Sequence, residues 1–530
     1  MSNPNRIAAR VLLAAKRIWG ERKLLLLILA GSWVLRIALI LQGGPLSWPD
    51  DVRYFRTNAV LEHFKMLEFG PALDSIIKFP DHTFFTVVAL IPAVARLLMV
   101  KSLAAGASLL GLSFQTDVSS TIWIAASVLS LASVINIGLV YGLARKTGAS
   151  EREALFAAFL MACATSTFHL TRHLVPYEAS FAFALTALWI GLDGRSNFTR
   201  SYVSGLLCAL AFFTYNAHWV IAFIVLAIHV LRGRLWRELV RRATAGGLGL
   251  ATPLVLLLAG NIFRGTELYF VGARRWGSRV VQGDFAEGWS LPWEYFWHAE
   301  HGILLVWVTG AVVVFLHSLR KTRASRAAGS LWLAMALAVY LLLVLGSNFL
   351  HLFVVTGRFA NQMVPFLCLT AACGLTHLPG ASKNFILVAC AISLQAACNF
   401  AGPFNLIFPY EVRQRVRAEY GEVTNDATVS GTSWRMNADG SAVLEDHRME
   451  RGVGSVQRSR YVLLNGGFPF IPIQGPKDAP EGKFLFKLPH MVEYLPYQYQ
   501  AYKPKERAII RSTDISMRLI DTTVIGNSSD

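Results

Sequence analysis

The sequence LLLLILAGSWVLRIALILQGGPLSWPDDVRY, residues 24–54, joins an apolar run of membrane-spanning length to a pair of adjacent carboxylates. Residues 24–41 carry one charge, Arg36, and approach the roughly 20 residues that cross a bilayer. Prolines then end the helix, and Asp50 and Asp51 stand at its mouth, where a carboxylate pair is costly to desolvate and contributes nothing to anchoring. The stretch therefore predicts a first transmembrane helix that leads into a functional acidic site.

The composition of the whole chain indicates that it contains many transmembrane helices, not only the first. Its 530 residues are 54% hydrophobic and only 16% charged, below the roughly 25% charge of soluble domains. The net charge of +17 comes from basic residues in short loops between apolar runs, as the positive-inside rule predicts. No basic and aromatic face appears outside the apolar region, so the sequence excludes nucleic-acid binding. The predicted class is a polytopic α-helical membrane protein.

Eleven apolar segments predict about eleven transmembrane helices. Between the first two, residues 51–69 have apolar residues at helical spacing and predict an amphipathic surface helix, and residues 84–112 predict a surface or re-entrant segment. The pair at 202–231 also fits one kinked helix. The eleven segments are 24–41, 121–144, 153–170, 173–191, 202–215, 217–231, 242–260, 301–317, 329–346, 357–378 and 384–401.

The basic loops orient the chain in the plasma membrane. If the N-terminus is cytoplasmic and 84–112 does not cross, the basic loops fall inside and the long aromatic-rich loops fall outside. Residues 1–402 then form the transmembrane domain. Residues 403–530 change sharply in composition, alternate around Tyr461 and Lys483, and predict a small α/β or mostly β domain on the outer face.

Acids and bases converge on the same outer side, where the headgroup of an anionic lipid would lie. Each group also has a simpler explanation: helix capping, a solvated turn, an interfacial anchor or snorkelling. The candidates form five motifs. The first (residues 50–54) has Asp50, Asp51, Arg53 and Tyr54; the second (78–82) has Lys78, Asp81 and His82; the third (172–178) has Arg172 and Glu178; the fourth (215–219) has His218 beside Tyr215 and Asn216; and the fifth (358–365) has Arg358.

Five stretches of residues 24–378 resemble the GT-C glycosyltransferases, most closely the lipid A aminoarabinose transferases and their relatives, the protein O-mannosyltransferases. Residues 50–54 resemble the Asp-Glu-x-Arg-Tyr motif of the first outer loop, and residues 78–85 are similar to a Lys-Pro-Pro-Leu-Tyr-Tyr segment. Residues 140–147 resemble the end of the family's second span. Residues 172–179 resemble an Arg-x-x-x-Pro-Asp-Ala turn, and residues 358–365 an Arg-Tyr-x-x-Pro stretch.

The resemblance implies a polyprenyl-phosphate-sugar donor, used on the outer face with inversion at the sugar. It also implies that Asp50 is the catalytic base and that Glu178 stands where the family has a second Asp. Three departures follow from the sequence: Asp51 replaces Glu, Asp81-His82 interrupts the second motif, and Asn216 stands where many relatives have a Lys that is thought to bind phosphate.

The remaining roles are expectations. Asp51 is expected to orient the acceptor, which is a lipid, a glycan or a protein, or to orient the surface helix. The expected substrate-binding and phosphate-binding residues are Arg53, Tyr54, Lys78, His82, Arg172, Glu178, His218 and Arg358. The residues leave open whether a divalent ion is bound; its candidate ligands are Asp50, Asp51, Asp81, His82 and Glu178.

Three other functions fit the chain in part. A transporter or flippase of a lipid-linked sugar would place ionisable residues near the middle of its spans, and Arg36 is the main candidate. A polysaccharide ligase or polymerase would rely on a large late outer loop, and residues 261–300 offer Arg274, Arg275 and His298, with His301 just after them. A non-catalytic membrane scaffold would not explain why the chain has the adjacent carboxylates Asp50 and Asp51.

Overall fold

The fold is described from a computed structural model of the chain. The structure describes residues 4–41, 52–77, 82–114, 118–168, 170–192, 197–233, 235–280, 289–320, 327–353, 355, 357–378 and 381–401, together with six short strands between residues 423 and 521. Asp50, Asp51, Lys78 and Asp81 lie outside the described residues, and so does the side chain of Arg358.

Helices make up nearly all of the described part before residue 402. They are α1 (Pro4–Leu41), α2 (Val52–Lys65), α3 (Phe69–Ile77), α4 (Thr83–Val88), α5 (Leu90–Leu109), α6 (Val118–Leu129), α7 (Leu131–Lys146), α8 (Glu151–Cys163), α9 (Thr165–Phe168), α10 (Tyr177–Gly191), α11 (Phe198–Thr214), α12 (Trp219–Leu231), α13 (Trp236–Arg264), α14 (Tyr269–Val280), α15 (Leu291–Ala299), α16 (His301–Arg320), α17 (Ala327–Val344), α18 (Gly357–Ala360), α19 (Val364–Thr376) and α20 (Ala381–Ala401).

Within the described residues, six helical segments are long and apolar enough to cross a membrane. Residues 202–231 form two helices, α11 and α12, which a 3₁₀ turn at Asn216–His218 separates. The expected total of eleven spans stays a prediction, because several predicted spans are helices of only 13 to 17 residues. The six are Lys23–Leu41, Thr83–Leu109, Thr121–Lys146, Trp236–Arg264, His301–Leu319 and Gly329–Phe349.

The segment Thr83–Leu109 is one of these six, although the charge pattern predicts that it does not cross. Its apolar length alone allows a crossing, whereas a crossing would place the later basic loops outside. That it stays on the outer side therefore remains a prediction.

Local sequence signals explain where helices begin and end. At the start of α8, the Ser150 hydroxyl accepts a hydrogen bond from the Glu153 amide (3.3 Å), and the Glu153 carboxylate accepts one from the Ser150 amide (2.6 Å). This capping box satisfies two amides that the first turn leaves without partners. Helix α13 ends at Gly265, whose φ of 63° is a left-handed conformation that glycine adopts without strain.

Helix α3 is tied to helix α13 by an ion pair. Arg264 donates from Nε to Asp74 Oδ1 (2.7 Å) and from Nη2 to Asp74 Oδ2 (2.6 Å). The hydrogen bond from Arg264 lowers the pKa of Asp74, which keeps that carboxylate charged. This two-point contact fixes the direction of α3 better than a single bond would.

Helices α11 and α13 pack closely because glycine removes the side chain where their backbones meet. A Cβ atom on Gly249 would lie 2.0 Å from the carbonyl oxygen of Tyr202, and one on Gly205 would lie 1.9 Å from that of Gly246. Small residues permit this approach between helices in membranes.

We expect Gly249→Ala to lower stability by about 1–3 kcal/mol, since the added methyl group must push the two helices apart. Gly247→Ala is the matched control, because a Cβ on Gly247 meets no atom within 4 Å. Thermal unfolding of the two variants in detergent measures the difference. Equal midpoints for both variants would show that the close approach does not stabilise the protein.

Six strands are described in the tail. Strands β1 (Val423–Asp426), β4 (Tyr461–Asn465), β6 (Met517–Asp521) and β5 (Lys483–Leu488) lie side by side in this order. The pair β1–β4 is parallel, and the pairs β4–β6 and β6–β5 are antiparallel. Strands β2 (Thr432–Met436) and β3 (Ala442–Asp446) form a separate antiparallel pair. The division of the chain at residue 402 stays a prediction.

Candidate functional site

The first motif is held against the bundle by a buried tyrosine. Tyr54 on α2 is fully buried beside Arg96 of α5, and Arg96 Nε donates to Thr121 Oγ1 on α6 (3.0 Å). Burial raises the pKa of Tyr54 to about 12, and Arg96 acts against that rise.

The second motif meets the turn between α11 and α12. His82 has a φ of 56°, a left-handed conformation that is uncommon for a residue with a side chain. Its Nδ1 atom accepts a hydrogen bond from the Asn216 amide (3.4 Å), and its ring centroid lies 5.0 Å from that of Tyr215. Residues 134 positions apart are thus in contact.

The third motif reaches the same turn. The ring of Tyr177, which begins α10, lies 4.5 Å from the ring of Tyr215 with an edge-on geometry. Arg172 and His173 are buried just before it, with Arg172 closing a 3₁₀ turn. Tyr215 therefore touches residues of both the second and the third motif.

His218 is fixed by a hydroxyl group on α10. Its Nδ1 atom lies 2.8 Å from Ser180 Oγ, which in turn donates to the carbonyl oxygen of Ala211 (2.7 Å). Since the only hydroxyl hydrogen of Ser180 goes to Ala211, Nδ1 of His218 is the donor in this contact. The contact fixes the orientation of the His218 ring.

The fifth motif joins the turn through an amide side chain. Gln362 Oε1 accepts from the Ile221 amide (3.1 Å), and its Nε2 donates to the Ala217 carbonyl oxygen (3.2 Å). These bonds satisfy backbone groups where the helix is interrupted, as a membrane interior requires. The backbone of Arg358 lies one turn earlier, in α18.

Glu178 lies in a deeper polar cluster, with Arg36, Ser133 and Asn136. Asn136 Nδ2 donates to the Glu178 carboxylate (2.8 Å) and to its carbonyl oxygen (2.9 Å). Ser133 Oγ accepts from Arg36 Nε (3.1 Å) and Nη2 (2.8 Å), while Arg36 Nη1 donates to the carbonyl oxygen of Ser32 (3.0 Å). Arg36 is fully buried and Glu178 is 7% exposed. We call these four residues the Arg36–Glu178 cluster.

The depth of this cluster follows from helix geometry. At 1.5 Å per residue, Arg36 lies about 20 Å along α1 from Lys23, and Asn136 lies about 15 Å along α7 from Lys146. Lys23, where the apolar segment of α1 begins, and Lys146, where α7 ends, are both predicted to face the cytoplasm. If those points face the cytoplasm as predicted, the cluster lies roughly half a bilayer thickness from that side. The predicted position of Glu178 at the outer end of its helix stays a prediction.

Sequence reasoning missed the amide and hydroxyl partners of the predicted residues. Ser133 and Asn136 are three residues apart, so they share one face of α7, and polar groups on one face of an apolar span are a usable signal. Gln362 lies within the stretch 358–365, and Ser180 directly follows the stretch 172–179. Nothing in the sequence identifies the hydrogen-bond partners of either residue. Arg96 appears in the sequence only as an interruption of an apolar run.

No group of three His, Cys, Asp or Glu side chains is arranged to hold a metal ion in the part of the chain that the structure describes. His82 Nδ1 is engaged by a backbone amide, and the Glu178 carboxylate is engaged by Asn136. The other three metal candidates, Asp50, Asp51 and Asp81, lie outside that part.

A cavity of about 1140 Å³ lies apart from the motifs, between α1, α8 and the end of α19. Its walls are mainly apolar, and polar residues such as Arg152 and His377 line its far end. Ser32 lines the cavity, and its carbonyl oxygen accepts a hydrogen bond from Arg36. The cavity and the Arg36–Glu178 cluster therefore meet at Ser32. None of the predicted site residues whose side chains the structure describes lines it.

Comparisons with known proteins give structural likenesses only. No protein-family model matches the chain, and no curated protein matches it. The fold is similar to the crystal structure of ArnT from Cupriavidus metallidurans bound to undecaprenyl phosphate, with 16% sequence identity over 76% of this chain and 69% of that chain and a TM-score of 0.47. It is also similar to the crystal structure of the same protein in the apo state, with 17% identity over 76% of this chain and 69% of that chain and a TM-score of 0.44. It is also similar to the Archaeoglobus fulgidus oligosaccharyltransferase tethered with an acceptor peptide (13% identity, 76% of this chain and 56% of that chain, TM-score 0.37). Both proteins are members of the GT-C superfamily.

Proposed function

We propose that this protein is an inverting membrane glycosyltransferase that moves a sugar from a polyprenyl-phosphate donor to an acceptor hydroxyl at the outer face of the membrane. The observation that carries the proposal is the convergence of the motifs on one turn. Tyr215 packs against His82 and Tyr177, and the neighbouring backbone of Ala217 accepts from Gln362. Stretches from four separate parts of the sequence thus build one region, as a shared site requires.

The reaction needs little chemical machinery. The acceptor oxygen attacks the anomeric carbon from the face opposite the phosphate, the new carbon–oxygen bond forms, and the bond to the phosphate oxygen breaks with its electron pair. The hydroxyl proton goes to the Asp50 carboxylate, which is the general base. A lipid phosphate leaves as a stable anion, so positive charge near it replaces a strong general acid.

Arg53, Lys78 and Arg358 are proposed to supply that positive charge. Guanidinium groups match phosphate geometry in two bonds, whereas the lysine acts as a point charge. Asn216 does not take this role, since its side chain carries no charge. We assign Asp51 to orienting the acceptor.

Glu178 and Arg36 are proposed to be fixed supports of the site. Arg36 is held by Ser32 and Ser133, and Glu178 is held by Asn136. A transporter would need such groups to change partners during transport. The several hydrogen bonds at each group therefore favour the transferase over the flippase.

Transfer assays with the purified protein in lipid nanodiscs test the proposal. The panel contains polyprenyl-phosphate sugars, the matching polyprenyl-pyrophosphate sugars, and a mixture of lipid, glycan and peptide acceptors. We expect product with inverted anomeric configuration from monophosphate donors. Product from pyrophosphate donors alone would favour a polysaccharide ligase or polymerase, and donor movement across the bilayer without a product would favour a flippase.

A further inference from the structure

The chain between α8 and α9 breaks sharply inside the protein. Ala164 has an extended conformation (ψ of 121°), and the helical segments on its two sides are bent by 70°. A break in an apolar interior leaves the amides of the next turn without helical partners. The amides of Thr165 and Ser166 are in this position, so their partners determine whether the break is stable.

The carboxylate of Glu300 supplies those partners. Glu300 is fully buried between α15 and α16, some 135 residues along the chain from Thr165. Its Oε2 atom accepts from the Thr165 amide (3.0 Å), and its Oε1 atom accepts from the Ser166 amide (2.6 Å) and from the Ser166 hydroxyl. Both carboxylate oxygens are thus engaged by the first two residues after the break, so one side chain satisfies both amides.

Gln395 on α20 fixes the segment that carries Glu300. Its Nε2 atom donates to the Ala299 carbonyl oxygen (2.9 Å), and lies 3.4 Å from Glu300 Oε2. The same nitrogen donates to the Thr165 hydroxyl. Glu300 and Gln395 therefore form one polar unit that joins α16 and α20 to the break.

The break leads directly to the candidate site. The carbonyl oxygen of Thr167 accepts from Ser133 Oγ (3.1 Å), the hydroxyl that holds Arg36. The carbonyl oxygen of Ser166 accepts from Asn361 Nδ2 (3.5 Å), within the fifth motif. Two consecutive carbonyl groups of the break thus face two parts of the proposed site.

We propose that Glu300 is a positioning residue: its carboxylate sets the α8–α9 break so that Thr167 and Ser166 hold the Arg36–Glu178 cluster and the fifth motif in register. This inference rests on the proposed transferase function. Glu300 does not touch substrate, and it acts through backbone groups.

The test combines hydrogen exchange with steady-state kinetics of the full-length protein. In Glu300→Ala, peptides that cover Thr165 and Ser166 are expected to exchange faster than in the wild type. A misplacement of reacting groups by about 1 Å can cost about 10²-fold in rate, so we expect kcat to fall by about 10- to 100-fold with a change of less than about 3-fold in the donor KM. Glu300→Gln keeps an oxygen acceptor of the same size and is expected to recover part of both effects.

Glu62→Gln is the matched control, because that carboxylate is exposed on α2 and its removal should change neither measurement. Unchanged exchange at Thr165 and Ser166 in Glu300→Ala would overturn the proposal, and so would faster exchange with a wild-type kcat. A wild-type protein that is inactive with every donor would contradict the transferase function instead. The exchange measurement would then still decide whether Glu300 anchors the break.

Discussion

Asp50→Asn is expected to lower kcat for sugar transfer about 10³-fold, within the range that a general base contributes. The carboxamide has nearly the same shape but does not take the acceptor proton. Donor binding should change little, because the phosphate contacts are assigned to other residues. The measurement is initial-rate transfer by purified protein, with thermal unfolding and size-exclusion profiles recorded on the same sample.

Asp51→Asn is the comparison variant, since it removes an adjacent carboxylate of the same motif. We expect it to lower kcat clearly less than Asp50→Asn, because Asp51 is assigned to orientation rather than to proton transfer. A fully active Asp50→Asn protein would exclude Asp50 as the base. If Asp51→Asn lowered kcat more than Asp50→Asn did, Asp51 rather than Asp50 would be the general base.

Arg36→Met is expected to produce the largest loss of stability, about 3–5 kcal/mol, because it leaves Glu178 buried without its counter-charge. The two groups interact electrostatically, and both are held by hydrogen bonds within the bundle. Methionine fills similar space, so the loss reports the charge rather than a cavity. Thermal unfolding in detergent provides the measurement, and Arg237→Met, at an exposed arginine of α13, is the control.

A double-mutant cycle identifies the origin of that loss. If Arg36 and Glu178 stabilise each other, Arg36→Met with Glu178→Met should be more stable than the sum of the single effects predicts, by about 1 kcal/mol or more. Additive effects would show that each residue is held only by its neutral neighbours. The Arg36–Glu178 cluster would then not be an electrostatic unit.

The sequence predicts which stretches matter, because acids and bases at the outer ends of apolar runs have few structural uses. The structure brings His82, Tyr177 and the Tyr215 turn into contact, although the first and last of these are more than 130 residues apart. The order of the motifs along the chain indicates a shared site but contains no distances. The contacts themselves, such as that of Gln362 with Ala217, depend on packing that a single sequence does not reveal.

Other features left no signal that sequence reasoning could use. Glu300 stands beside His301 at the end of a long loop, where a lone carboxylate is typical of a solvated residue, and only the fold shows that it is buried. Gly249 and Gly247 look alike in the sequence, yet only Gly249 meets a neighbouring backbone. The hydrogen bond from Asn136 to Glu178 joins α7 to α10, and the sequence alone does not identify this pairing.

The mechanism depends on a carboxylate at position 50 that faces the outside of the membrane. The most direct test is labelling of Asp50→Cys with a membrane-impermeant maleimide in intact cells, compared with the unsubstituted protein, whose own cysteines set the background. Arg152→Cys, at the end that is predicted to be cytoplasmic, is the opposite-side control. We predict labelling at position 50 before permeabilisation and at position 152 only after it; labelling at position 50 only after permeabilisation would contradict an outer-face glycosyltransferase.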